Sequence, residues 1–243
     1  ANKKLNEALT YFNILKNNKC EYSSASSYYA GFIEYDKKEY SKAIIDLERA
    51  SKDESFQEVA PELLATLYYK QKRYEDLLDY TKSMSPESLK KVRNLNLMLG
   101  DAYLNTGDSE KAAAAYKSYE EFSKKPSREI RYRIGYAYYL EKSFQPAIDQ
   151  FKRVASNKDS IGIYSSYYLG GLYLKEGNKL YARTAFDNAR NNKINEALRE
   201  EGAYQFAKVT YEVSQAKEAV DALHYYLNNY PLGKHIDEVN DLI

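Results

Sequence analysis

Glycine or alanine returns at a near-constant interval along this chain, and that interval limits the fold more than any other feature. Gly31, Ala65, Gly100, Gly135, Gly170 and Ala207 follow one another at 34, 35, 35, 35 and 37 residues. Twelve residues after each stand Ala43, Leu77, Ala112, Ala147, Ala182 and Ala219, of which only Leu77 is large. Four further on come Leu47, Thr81, Tyr116, Phe151, Phe186 and Leu223, with Thr81 the weak member. Three beyond those are Ala50, Met84, Tyr119, Val154, Ala189 and Tyr226. A period of this length marks a supersecondary unit that cannot bury its apolar face alone and must stack on copies of itself.

The second half of each unit places apolar residues at i, i+4 and i+7, one face of a helix. The first half carries its Gly or Ala and, three residues later, a large side chain such as Tyr68, Tyr103, Tyr138 or Tyr173. Short polar breaks such as "NTGDSE" (105–110) and "KEGNK" (175–179) separate the halves. The unit therefore reads as helix, turn, helix. The two small positions are expected where paired helices cross and their backbones touch, with the aromatics filling space on either side. Pro146 fits the first turn of a second helix, where its missing N–H is not needed. A total of 10 Gly and 5 Pro in 243 residues also favours helices over a turn-rich sheet fold.

Charge gives no support to a polyanionic partner. Lys+Arg number 36 and Asp+Glu 35, which gives no long-range attraction to nucleic acid or anionic lipid. No apolar run approaches the roughly 18 residues that span a bilayer. The single cysteine, Cys20, is expected as a buried small hydrophobe. No signal peptide is visible and the first residues are Ala-Asn-Lys-Lys, which reads either as a processed leader or as a piece of something longer.

The order of residues in "NLMLGDAYLNTGDSEKAAAAYKSY" (96–119) and "SYYLGGLYLKEGNKLYARTAFDNA" (166–189) resembles the tetratricopeptide repeat, and Pro231 stands where that family closes a second helix. Departures are the absence of Trp at the first aromatic position, the Leu77/Thr81 pair, and the long final spacing. The resemblance implies an all-α, right-handed superhelical solenoid of antiparallel helix pairs, built as one array over 1–243. Its expected parts are a second helix of a truncated or capping unit (1–23), six repeats (24–57, 58–92, 93–127, 128–162, 163–199 and 200–233), and the start of a further helix (234–243). "NEALTYFNIL" (6–15) sits in second-helix register and "HIDEVNDLI" (235–243) reads as a first-helix start, so a cut through a longer array is expected. "LNNYPLGKHIDEV" (227–239), "YYAGFIEYDKKEYSKAIIDL" (28–47) and "APELLATLYYKQKRYEDLLDY" (60–80) are similar to parts of bacterial envelope-associated multi-repeat proteins, which implies a periplasmic or surface placement.

In that family the first helices line a concave groove. Carried over position by position, the groove-facing residues are Tyr28, Phe32 and Tyr35, then Tyr69, then Leu97, Asp101 and Leu104. They continue with Tyr132, Tyr136 and Tyr139, then Tyr164 and Tyr167, then Tyr204, Lys208 and Tyr211. Spacings of three and four put each set on one helix face. The expected surface is an aromatic ladder suited to peptide recognition, with Tyr132, Tyr136 and Tyr139 at its centre. Packing against the next unit is the competing role for the same rings. The Lys/Asn/Lys/Arg clamp that grips acidic chaperone tails has no counterpart among these Tyr, Leu and Asp positions.

Reaction chemistry is not visible. His224 and His235 lack metal-ligand spacing, and Gly170-Gly171 lies inside a helix, where it fits close helix contact rather than a phosphate loop. "SREIRYR" (127–133) reads as a solubilising basic face. The expected function is a non-enzymatic scaffold, without cofactor or metal, that binds a protein or peptide. The alternative is a helical-repeat reader of single-stranded RNA.

Overall fold

The computed structural model describes residues 2–18, 20–92, 94–123 and 125–243, and every regular element among them is helical. The first part of the chain contains α1 (Asn2–Leu15), α2 (Ser23–Asp36), α3 (Tyr40–Ala50), α4 (Ala60–Lys70), α5 (Tyr74–Ser83), the short α6 (Pro86–Lys91), α7 (Leu95–Asn105) and α8 (Ser109–Phe122). The second contains α9 (Arg128–Leu140), α10 (Phe144–Lys152), α11 (Ser160–Lys175), α12 (Lys179–Arg190), α13 (Glu196–Val213), α14 (Ala216–Asn229) and α15 (Ile236–Asn240). The chain divides into two compact units, Ala1–Phe122 and Ser123–Ile243. In the first unit helices adjacent in sequence pack together except at the short α6, which packs on α4 while α5 packs on α7; in the second unit adjacent helices pack together and α11 also packs on α9 and α13.

Turns between paired helices repeat one device. Lys38, Lys72, Gly107, Lys142 and Gly177 all adopt positive φ between 55° and 87°. A left-handed residue reverses the chain tightly after a helix, and glycine takes that conformation without steric cost. Side-chain caps elsewhere, between one helix pair and the next, start α11 and α13. Asp159 accepts from the Gly162 N–H at 2.9 Å, and Asn195 from the Leu198 N–H at 3.0 Å. Pro146 is the third residue of α10, inside its first turn.

A Cβ on Gly31 would lie 3.1 Å from the backbone carbonyl of Ala43, the contact that the repeat pattern predicts, but the glycines share a second and more general neighbour. They meet the large side chain sixteen residues on. A Cβ on Gly170 would lie 2.5 Å from the Phe186 ring, and one on Gly100 would lie 2.6 Å from Tyr116. Gly31 stands against Leu47 at 2.7 Å and Gly135 against Phe151 at 3.1 Å. Each glycine is thus a hole for a knob on the paired helix. Where the hole is alanine, at Ala65 and Ala207, the residue sixteen on is Thr81 or Leu223, smaller than a ring. The paired volumes explain why Tyr116, Phe151, Leu47 and Leu223 are fully buried. Leu77 and Thr81, the two departures from the repeat pattern, are buried as well. Gly171 differs from Gly170: a Cβ there meets nothing within 4 Å, so close helix contact does not account for it.

Cys20 is exposed, contrary to the expected buried role, because it falls in the turn between α1 and α2 rather than on a helix face. α1 packs Leu9 against Ala30 and Ile33 of α2. Just past its end, the Lys16 ammonium pairs with the buried Asp46 carboxylate of α3, and Arg49 donates to the Lys16 carbonyl at 3.2 Å. Glu34 of α2 lies beside that pair and is as buried as Asp46.

Candidate functional site

The second unit concentrates its tyrosines on the first helices. On α9, Tyr132, Tyr136 and Tyr139 recur at i, i+4 and i+7 and stack in sequence. The Tyr132 and Tyr136 rings are 6.3 Å apart and 6° from parallel; Tyr136 and Tyr139 are 6.4 Å apart and 16° from parallel. Three near-parallel rings therefore stand in a row along one helix, each half-buried.

The row is held from behind by Tyr168 of α11, a residue the repeat register did not single out. Its ring is 5.5 Å from Tyr136, 5.0 Å from Tyr139 and 5.4 Å from Phe151. Its neighbour Tyr167 is a groove position in the register, and the only sequence signal for Tyr168 is that it lies next to it. Burial, and then the proximity of other phenols, drives the Tyr168 hydroxyl well above the usual tyrosine range. Burial pushes Tyr132 up to about 12 in the same way. Tyr167 is raised by burial and by the Glu201 carboxylate. These hydroxyls stay protonated through the physiological range, so they offer neutral donors on apolar rings.

α11 adds Tyr164 and Tyr167. The Tyr164 hydroxyl accepts from the Asn195 side-chain amide at 2.8 Å, which ties α11 to the start of α13. α13 adds exposed Lys208 and Tyr211. Tyr204 is different: it is 4% exposed, its ring stacks on His235 at 3.7 Å, and its hydroxyl donates to Glu238. The segment carrying α15 covers it, so Tyr204 has no surface to offer. His235 is thereby a packed residue, with Nε2 3.0 Å from Glu201. Nothing in its spacing revealed that partner.

In the first unit the register positions are less uniform. Tyr28 stacks on Phe56 at 5.0 Å, and Phe32 is 52% exposed. The Tyr35 hydroxyl accepts from Lys70 at 2.7 Å. Leu97 and Leu104 are half-buried. Asp101 is 3% exposed and accepts from both the Tyr69 and Tyr116 hydroxyls. It links first and second helices internally and is closed to a ligand. Tyr69 is half-buried above it.

Within the basic stretch at the start of α9, Arg128 makes a two-pronged pair with Asp159 at 2.6 and 2.9 Å. That guanidinium, with the Gly162 N–H, holds the Asp159 carboxyl down at about 2. Among the described residues no cluster of His, Cys, Asp or Glu could hold a metal ion, and no helix is long and apolar enough to cross a membrane.

Comparison with known proteins bears on the architecture. The family model for the tetratricopeptide repeat-like domain matches residues 2–134. The C-terminal part of a TPR repeat-containing protein from Cytophaga hutchinsonii has a similar structure, with a TM-score of 0.63 at 17% identity, over 100% of this chain and 95% of that one. YrrB, described as a TPR protein with an unusual peptide-binding site, has a TM-score of 0.59 at 18% identity, over 74% of this chain and 91% of that one. At these identities the likeness is one of fold. No curated protein matches the chain.

Proposed function

This chain belongs to the tetratricopeptide repeat-like family, and from that premise we propose that it is a non-enzymatic protein–protein interaction scaffold whose second unit holds a peptide against the α9 tyrosine row. The observation that carries the reading is the ring spacing. Side chains on one face of an extended peptide recur about every 6.6 Å. The rings of Tyr132, Tyr136 and Tyr139 recur every 6.3 to 6.4 Å. An extended segment laid along α9 would set alternate side chains against successive rings, while the phenol hydroxyls meet its backbone carbonyls. The rings are already fixed by Tyr168, so little rotamer entropy is lost on binding. Tyr164, Tyr167, Lys208 and Tyr211 would extend the contact over α11 and α13. Phe32, Tyr35, Leu97 and Leu104 are the corresponding open positions of the first unit.

The test begins with peptides selected from a random display library on the purified chain. A Tyr132→Ala/Tyr136→Ala/Tyr139→Ala variant is expected to bind them with Kd raised about 30-fold or more, the loss of about one strong hot spot. The circular-dichroism helix signal should be retained. Peptides that bind this variant with unchanged Kd, or whose hydrogen-exchange footprint avoids α9 and α11, would reject the reading. Single-stranded RNA is the other candidate ligand. A formal net charge of +1 gives it no electrostatic support, and saturable RNA binding that weakens steeply with salt would replace the peptide reading.

A further inference from the structure

We infer that the second unit contains a separate binding site for a carboxylate carried on a small apolar group. The site is a cavity of about 350 Å³ between the segment after α10, the first turns of α11, and the end of α12 with its following loop. It shares no residue with the tyrosine face. Cavities of this size accept small ligands or the terminal residue of a larger one.

Three properties of the lining set the chemistry. Its apolar part comes from Ile163, which is buried, and Ile194, which is 51% exposed despite its size. Its amide part comes from Asn157, Asn188 and Asn191. Its only ionisable side chains are Lys158 and Lys193. The nearest acids in sequence are already committed: Asp159 to Arg128, and Asp187 to Arg190 at 2.7 Å. Among the described residues neither lysine pairs with a carboxylate. Two lysines without an acidic partner in a lining that also holds an apolar wall favour an anion with an apolar body, which covers the exposed Ile194 where a fully hydrated ion does not.

The walls are set in advance. Buried Asn192 accepts the N–H groups of Ile194 and Asn195, both at 2.9 Å, and donates to the Ala189 carbonyl at 2.6 Å. Ser166 donates to the Ala155 carbonyl at 3.1 Å, fixing the opposite loop. The fold does not require cations at such a place. The comparable cavity of the first unit, about 340 Å³ between the ends of α3 and α5 and the start of α4, is lined by serines, Gln57, Pro61, Tyr80 and Met84 and has no lysine.

The shared ligand chemistry has two sources, a free small acid or the C-terminal residue of a polypeptide, and one titration separates them. The full chain, labelled with nitrogen-15, is titrated with N-acetyl-leucine, with N-acetyl-leucinamide, and with a tetrapeptide ending in leucine with a free carboxylate. N-acetyl-leucine is expected to shift the amides of 155–158 and 191–194 saturably, with the leucinamide at least about tenfold weaker. A Lys158→Met/Lys193→Met variant should lose the response while keeping its spectral dispersion. Tighter binding of the tetrapeptide than of N-acetyl-leucine assigns the site to a chain terminus, and equal binding assigns it to a small acid. Absence of saturable shifts at about 20 mM, or equal shifts by acid and amide, overturns the inference.

Discussion

Replacing Lys16 by methionine is expected to destabilise the docking of α1 by roughly 3–5 kcal/mol, the usual cost of stripping one partner from a buried ion pair. The Lys16 side chain is 13% exposed and its partner Asp46 3%. Without the ammonium, Asp46 and Glu34 face each other in the core. Amide exchange across α1 reads the effect directly, and exchange rates unchanged from the parent chain would reject it. The same cluster makes this unit pH-sensitive. Burial first, then the Asp46 charge, raises the Glu34 carboxyl from 4.5 to about 7, with Glu39 adding to the rise and Lys16 opposing it. Lys42 of α3 also feels the Glu34 charge. Glu34 shares a hydrogen bond with Asp46, and its Oε2 has no partner, as suits a neutral acid. A carboxyl whose folded pKa is raised stabilises the fold fully below its unfolded value. That contribution falls as pH rises from about 4.5 through about 7, and amounts to about 3 kcal/mol in total. Glu34→Gln, which cannot ionise, should match the parent near pH 4.5 and exceed it by about that amount at pH 8 in urea unfolding. Parallel pH profiles for the two proteins would contradict the assignment.

Phe186→Ala is the second large effect, at about 3–5 kcal/mol, because it empties a nearly sealed site on α12. A sharper form of the test uses the hole as well as the knob. Gly170→Ala places a Cβ 2.5 Å from the Phe186 ring, an overpacking cost of roughly 3 kcal/mol set against about 1 kcal/mol gained in helix propensity. Phe186→Leu alone leaves a void worth about 1–2 kcal/mol. The double variant recreates the Ala207/Leu223 combination that the chain already uses two helices later. It is expected to be more stable than the sum of the single effects predicts, with a coupling of roughly 1–2 kcal/mol in a double-mutant cycle. Strict additivity would mean that the two positions do not meet as knob and hole.

The architecture was legible because it rests on periodicity. Small residues at intervals of 34 to 37 and apolar residues at helical spacing leave no other way to bury each unit, so helix pairs, their turns and the place of Pro146 follow from the chain alone. Facing positions on α9 were legible for the same reason, since i, i+4 and i+7 share a face by geometry. Contacts between helices were not. Which residue fills a glycine hole depends on the crossing of two rods, and the answer was the residue sixteen on. Burial of Asp101 depends on two tyrosine hydroxyls arriving from α4 and α8, and burial of Tyr204 on a histidine thirty-one residues away. A charged or amphipathic side chain reads as surface in one dimension, and only its partners in space decide otherwise. Cys20 shows the converse: a residue type that usually packs inside lies exposed because the helix ended before it. Local pattern therefore determined the elements and their faces. Tertiary packing alone decided which polar groups became core, which tyrosines stayed open, and where Lys158 and Lys193 came to line one cavity.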